Sequence, residues 1–317
     1  MKSNNVCLVI IPTYNAQNYI ADTLESILSQ SGNVKVIVSD DHSSDNTLKI
    51  VSSLGKKNIF ITKTNREGNN KRTASVARNA GLKYYLENEE SLFNDVEFLT
   101  FVDHDDILAK NSISIRVEKL LSEKADFLYS NLLNFSEEKK AIQKVDRVKV
   151  EGLNALLVYT AVRNINYNTM IYSKRLIAEM VEARQHFGVT TSLLFDEDLS
   201  WHEDRDVACL AINTCYKKGY SIAFAPEYTY FHREHVSLSS NIPSSVKLNN
   251  YRCVDYRYLN RLTFFSAVIQ RIIDRPTYRF PRKVRKLKVV KDYESNKYKR
   301  MDVLSDQEYQ NLILWFK

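Results

Sequence analysis

Val96-Glu97-Phe98-Leu99-Thr100-Phe101-Val102 runs directly into Asp103-His104-Asp105-Asp106, and this junction decides how the chain is read. The apolar residues are crowded as in a buried strand. Carboxylates at the C-terminal end of such a strand stand where open α/β sheets bind ligands. Asp103 and Asp105 are two apart, so at a bending strand end both can converge on one hard cation. Mg²⁺ or Mn²⁺ takes such oxygen ligands and shares them with substrate phosphates. An acidic helix start is the alternative reading, because Asp-Asp ahead of an apolar-periodic run also caps a helix.

Upstream, Val6-Cys7-Leu8-Val9-Ile10-Ile11 is a continuous apolar run, the mark of a central parallel strand covered on both faces. Pro12-Thr13-Tyr14-Asn15 stops it, and Ile20, Leu24, Ile27 and Leu28 then mark one face of a helix. Val34 to Val38 reads as a second strand ending in Ser39-Asp40-Asp41, and Asn58 to Thr62 as a third. Between them Asp45-Asn46-Thr47 offers capping side chains for a helix that Gly55 ends. Ala74 to Glu87 reads as a further helix. Strands alternating with helices predict βαβ units and a doubly wound parallel sheet. Right-handed crossovers place the C-terminal ends of parallel strands on one edge. The clusters after Ile11, Ser39 and Val102 should therefore line a single crevice. Neither Gly-x-Gly-x-x-Gly nor a P-loop is present, so a nucleotide bound there is held by side chains and a metal.

Downstream, a helix follows Asn111, strands are expected over Asp126 to Leu133 and Asn168 to Tyr172, and a short helix over Leu176 to Ala183. Trp201-His202-Glu203-Asp204-Arg205-Asp206 opens another helix, ended by Gly219. Its carboxylates suit the positive end of the helix dipole, either as caps or as a base kept ionised. Tyr220 to Pro226 and Tyr228 to His232 read as two short strands, and Asp196-Glu197-Asp198 as a solvated loop. His232 and His235 have no partner pair that would complete a zinc site.

The chain of 317 residues carries a formal charge of +7, unevenly spread. Residues 251–300 hold fifteen Lys/Arg and four Asp/Glu, a local +11 against −4 for the rest. Leu262, Phe265, Ile269 and Ile272 keep helical spacing beside these cations. Such a helix either lies on an anionic membrane surface or packs on the main domain with a solvated basic face. Nucleic acid is disfavoured, since no reader motif accompanies the charge. Cys7, Cys209, Cys215 and Cys253 make no CxxC pair or disulfide framework and read as reduced thiols. No signal peptide and no apolar stretch of about 20 residues is present, so a cytoplasmic protein is expected, with peripheral contact at the inner face of the membrane left open.

In order along the chain, Pro12-Thr13-Tyr14-Asn15, Asp40-Asp41-His42-Ser43-Ser44-Asp45, Ala77-Arg78-Asn79-Ala80-Gly81, Asp103-His104-Asp105-Asp106, Glu203-Asp204 and His235-Val236-Ser237 resemble the motifs of the inverting family 2 glycosyltransferases of bacterial surface-polysaccharide synthesis. The resemblance spans about residues 5–240. It implies a GT-A fold, with a catalytic domain over 1–240 and a basic, mainly helical extension over 241–317. It further implies transfer of a sugar from a nucleoside-diphosphate donor, such as a UDP-sugar, to a glycan or lipid-linked acceptor. Pro12, Thr13, Tyr14, Asn15 and Asp40 or Asp41 would hold the nucleotide. Arg72 or Arg78 would lie near the diphosphate, unless Arg78 ties loops together instead. Asp103 would contact the ribose, with His104 beside it. Asp105 would ligate Mn²⁺ or Mg²⁺, and His235 would reach back to metal or diphosphate. Asp204 would be the general base, with Glu203, Trp201 and His202 shaping the acceptor pocket. His42 and His104 depart from the family's smaller residues; His104 would either meet substrate or face solvent. A sugar nucleotidyltransferase and a catalytically silent nucleotide- or glycan-binding module are the competing readings.

Overall fold

The computed structural model describes residues 5–65, 73–163, 165–185, 193–234, 244–260, 267, 302–305 and 307–308. The chain opens β1 (Val6–Thr13), α1 (Ile20–Leu28), β2 (Asn33–Asp40), α2 (Thr47–Ser53), β3 (Ile59–Lys63), α3 (Ala74–Glu87), α4 (Glu89–Leu92) and β4 (Val96–Phe101). Every residue of β1 is buried, because side chains alternate between two cores. Val6, Leu8 and Ile10 face one cluster, which includes Leu82 of α3. Cys7, Val9 and Ile11 face the other, with Ile20, Leu24 and Ile27 of α1. The four strands pair in parallel in the order β3-β2-β1-β4, the βαβ arrangement expected from the sequence.

Local chemistry sets the helix ends. Thr73 caps α3 by accepting from the Val76 N–H. Asp45, not the N-cap Asn46, accepts from both the N–H and the hydroxyl of Thr47, whose Oγ1 also accepts from the Ala16 N–H at 2.7 Å. Gly55 follows α2 with φ +56, a conformation that costs glycine little. Gly81 is required for a different reason: a Cβ there would lie 2.5 Å from Ile10 Cγ2, so its absence lets α3 sit close on β1.

Beyond β4 come β5 (Ile107–Leu108), α5 (Ser112–Glu123), β6 (Ala125–Ser136), β7 (Ala141–Val145), α6 (Leu153–Arg163), a 3-10 turn (Tyr167–Thr169), β8 (Ile171–Ser173) and α7 (Lys174–Gln185). Then follow α8 (Glu203–Lys218), β9 (Ser221–Arg233), α9 (Ser244–Tyr258) and β10 (Asp302–Val303). β8 joins β4 to β6 through antiparallel pairs, and β7 and β10 extend the sheet. β9 runs parallel to β6 and pairs with β5. The strand expected over Asn168 to Tyr172 begins as the 3-10 turn. The two short strands expected over residues 220–232 are one strand, whose register shifts where Ser130↔Ala225 gives way to Asn131↔Tyr228. Pro226 lies in that gap; it has no N–H to give the ladder, and its carbonyl accepts from Asn131 Nδ2 at 2.6 Å.

α9 lies beyond residue 240, where the catalytic domain was expected to end. Its Val254 and Tyr258 are nonetheless buried in the same core as β1 and α8. The apolar stripe of the basic tail falls outside the described residues. Among the described residues, no helix is long and apolar enough to cross a membrane.

Candidate active site

Parallel pairing delivers the polar clusters to one rim. Thr13 is level with Asp40 in the β1–β2 ladder, and the Asp41 N–H donates to the Thr13 carbonyl at 2.8 Å. Asp40 is fully buried and accepts from the Ser43 N–H, while Asp41 Oδ1 accepts from Thr64 Oγ1 at 2.6 Å. His42 adopts φ +62, and its Nε2 donates to the Thr64 carbonyl at 2.9 Å. A left-handed backbone explains why a smaller residue is favoured there and why histidine, tolerated in that region, can replace it. Asn15 braces the first loop against the second: its N–H donates to Ser43 Oγ at 2.9 Å and its Oδ1 accepts from the Ser44 N–H at 2.8 Å. His104 neither lies loose in solvent nor stands alone. Its Nδ1 donates to the Pro12 carbonyl at 3.0 Å, and its own carbonyl accepts from Thr23 Oγ1 at 2.8 Å, so it fastens the carboxylate loop to β1 and α1.

The carboxylates of Asp103, Asp105 and Asp106 place one oxygen each within 4.8 Å of one another. They differ in surroundings. Asp106 is fully buried and accepts from the Tyr230 hydroxyl, from His232 Nδ1 at 3.1 Å and from the Arg233 N–H at 2.7 Å. The Asp106 carboxylate pushes His232 up to about 9, so the imidazole is its cationic partner at neutral pH. Arg233 also donates Nε to the Asp105 carbonyl at 2.8 Å and is braced by Glu137 and Asp22. Asp106 is thus committed to β9, whereas Asp103 and Asp105 are both half-buried. A set of hard oxygen donors this close fits Mg²⁺ or Mn²⁺.

Arg78 is the hub. Its side chain is 2% exposed, stacks 4.0 Å over the Tyr167 ring, and donates to Asp103 Oδ1 at 3.0 Å and Glu203 Oε1 at 3.1 Å, as well as to the Tyr167 hydroxyl. Asn168 Nδ2 donates to the other oxygen of Asp103 at 3.2 Å. Of the two roles expected for Arg78, tying loops together describes these contacts. Next to it, Asn79 grips the loop before α8: its Nδ2 donates to the Phe195 carbonyl at 2.8 Å and its Oδ1 accepts from the Phe195 N–H at 2.9 Å. α8 then starts behind His202, which adopts φ +67, with Trp201 half-buried beside it. Glu203 turns to Arg78, and Asp204 Oδ1 accepts from the Arg205 N–H at 2.7 Å.

Asp196 corrects the reading of its loop as solvated. It is 1% exposed and paired with Arg257 of α9, a partner far along the chain that an acidic run does not reveal. Tyr167, Asn168 and Arg233 were not singled out for the site, Tyr230 reads in the sequence as strand packing or a sugar platform, and Asn79 was visible only as the neighbour of Arg78 in its motif. Arg72 and His235 lie outside the described residues.

A family model described as "Glycosyl transferase family 2" matches residues 8–189, more than half of the chain. The chain belongs to glycosyl transferase family 2. It is similar to WfgD of Escherichia coli, a UDP-Glc:alpha-D-GlcNAc-diphosphoundecaprenol beta-1,3-glucosyltransferase, at 31% identity over 125 residues, 39% of this chain and 44% of that protein. It is also similar to the minor teichoic acid biosynthesis protein GgaA of Bacillus subtilis, 26% identical over 247 residues, 75% of this chain and 49% of that one. The chain therefore spans less than half the length of these two relatives. Among solved structures, S. aureus TarS in complex with UDP superposes with a TM-score of 0.56 at 18% identity, over 92% of this chain and 78% of that one. The family 2 chain shares the GT-A fold of these glycosyltransferases.

Proposed function

We propose that this family 2 chain is an inverting glycosyltransferase that moves a sugar from a UDP-sugar to a hydroxyl of a glycan or lipid-linked acceptor, in surface-polysaccharide synthesis at the cytoplasmic face of the membrane. One observation carries the reading. Arg78 binds Asp103 of the strand-end carboxylates and Glu203 at the start of α8, so the two motifs share one crevice. The relatives support the substrate class: WfgD is named for a UDP-glucose donor and a diphosphoundecaprenol-linked acceptor, and TarS is described in complex with UDP.

In this reading Thr13, Tyr14, Asp40 and Asp41 frame the nucleotide, and Asp103 with Asp105 would hold the divalent ion. When bound, that ion neutralises charge developing on the diphosphate. Asp204 accepts the proton of the attacking hydroxyl from the face opposite the leaving group, so no nucleophilic side chain is required. Glu203 is held by Arg78, and its neighbour Asp204 is the carboxylate assigned to take the proton. Arg147 donates to Asn166 Oδ1 at 3.3 Å; burial first, and the charge of Arg163 with it, hold its guanidinium below the usual range, while Tyr159 and Asp204 act the other way. Cations there suit an acceptor that carries phosphate.

The test is a panel of nucleoside-diphosphate sugars with the full chain, followed by thermal shift and by release of the nucleoside diphosphate, with and without Mn²⁺. A UDP-sugar that stabilises the protein and is slowly hydrolysed in a metal-dependent way supports the proposal. Stabilisation by glycans alone, with no donor turned over, replaces it with a binding module.

A further inference from the structure

Asp204 stands on a segment whose two ends are fastened to one guanidinium. Upstream, Asp196 Oδ2 accepts from Arg257 Nη2 at 2.5 Å. Downstream, Asp206 Oδ1 accepts from Arg257 Nη1 at 2.9 Å. Asp196 and Asp206 are 1% and 0% exposed, so neither carboxylate can turn to water for compensation. Arg184 Nη2 lies 2.6 Å from the second oxygen of Asp206, and the preceding residue of α8, Arg205, is paired with Asp255. Asp255 and Arg257 are both on α9, so consecutive residues of α8 are bound by two residues of one neighbouring helix.

A guanidinium is a rigid planar fork, and two carboxylates held by its two terminal nitrogens are fixed relative to each other. The segment from Asp196 to Asp206 is thereby closed into a loop of set span. Asn79, the neighbour of Arg78, anchors its upstream end through Phe195 and Glu197. The position of the segment that carries Asp204 is thus set from α3 and from α9 together. α9 lies outside the residues 8–189 matched by the family model, and Arg257 sits in the chain's most basic stretch.

We infer that Arg257 is a positioning residue for sugar transfer: it holds the segment that carries Asp204, which makes α9 a working part of the active site. The inference rests on Asp204 as the base. It concerns the rate of transfer and not the binding of donor, because the residues assigned to the nucleotide lie at the ends of β1, β2 and β4, whereas Arg257 holds the segment before α8 and its first turn.

The experiment uses the full chain and four variants, Arg257→Gln, Arg257→Lys, Asp196→Asn and Asp204→Asn, with Arg175→Gln as a control at a half-exposed ion pair on β6 and α7. Turnover at saturating donor and acceptor is measured per folded molecule, together with the donor KM and the melting temperature. A shift of a reacting group by about 1 Å costs about 100-fold in rate. Arg257→Gln is expected to lose turnover on that scale with the donor KM unchanged within about twofold. Arg257→Lys restores the charge but not the fork, so it should recover melting temperature more than turnover. Asp196→Asn keeps the Asp206 contact and is read in the same way if Arg257→Gln does not fold. Wild-type turnover in Arg257→Gln or in both other positioning variants, or a loss no greater than that of Arg175→Gln, overturns the inference. Retained transfer in Asp204→Asn overturns the base assignment itself, whereas an inactive Asp204→Asn beside a fully active Arg257→Gln overturns only the positioning role.

Discussion

Asp103 and Glu203 are bound to opposite terminal nitrogens of one buried guanidinium, at 3.0 and 3.1 Å, although one ends the fourth strand and the other starts α8. The contact ties the strand-end carboxylates to the start of α8. It also distinguishes the acidic pair at the helix start, since Glu203 shares the guanidinium with Asp103 and Asp204 is not part of that ion pair.

In the proposed function, Asp204→Asn removes the proton acceptor while keeping shape and helix start. Transfer is expected to fall by about 10²–10⁴-fold, the usual scale of general-base loss. UDP binding by calorimetry should remain near wild type. Weakened UDP binding with transfer retained would count against the assignment.

Asp105→Ala should abolish the dependence of donor binding on Mn²⁺, read by calorimetry with and without the ion. Asp106→Asn acts differently, because Asp106 is buried and holds Tyr230, His232 and Arg233. It is expected to lower the melting temperature first, with donor affinity following from the displaced loop.

Arg78→Met should destabilise the fold by about 3–5 kcal/mol, the range for breaking a buried ion pair and leaving its partners uncompensated. The figure is an upper range here, since Asp103 and Glu203 keep 25% and 19% of their side-chain surface. Arg78→Lys should not restore activity, because one ammonium cannot serve both carboxylates and stack on Tyr167. Urea unfolding and transfer assays on both variants decide this.

Gly81→Ala gains about 1 kcal/mol of helix propensity but presses a methyl group onto Ile10, at a cost of about 1–3 kcal/mol. The expected outcome is a net loss of about 1 kcal/mol in urea unfolding with an unchanged slope.

Thiol titration of the native chain should spare Cys7, Cys209 and Cys215, which are buried, and label the half-buried Cys253 first. Burial pushes the Cys7 thiol up to about 12. The thiolate, the reactive form, is then present at about one part in 10⁴ at pH 8. Reactivity of all four thiols at equal rates in folded protein contradicts this.

The first half of the fold was legible because its signals are local. An unbroken apolar run such as Val6 to Ile11 announces a strand covered on both faces, and polar clusters at strand ends follow from topology. The second half was less so. β7 and α6 give weak periodic patterns, and Pro226 divides β9 on paper while the ladder simply steps over it. In the site, residue types were readable but counter-charges were not. Asp196 reads as solvated until Arg257 is placed beside it, and Arg78 could be given either of two roles until Tyr167, Asp103 and Glu203 are seen around it.

The step in the β6–β9 ladder at Pro226 bears on which changes of chain length the protein can accept. On the far side of the step, an added residue can be absorbed by moving the irregularity. A second irregularity follows at Thr229, and only from Tyr230 to Arg233 is the pairing unbroken, with no such slack. A single insertion or deletion there would send His232 to the face opposite Tyr230 and strip Asp106 of a donor. Length variation among homologues and in engineered libraries should stop short of Tyr230.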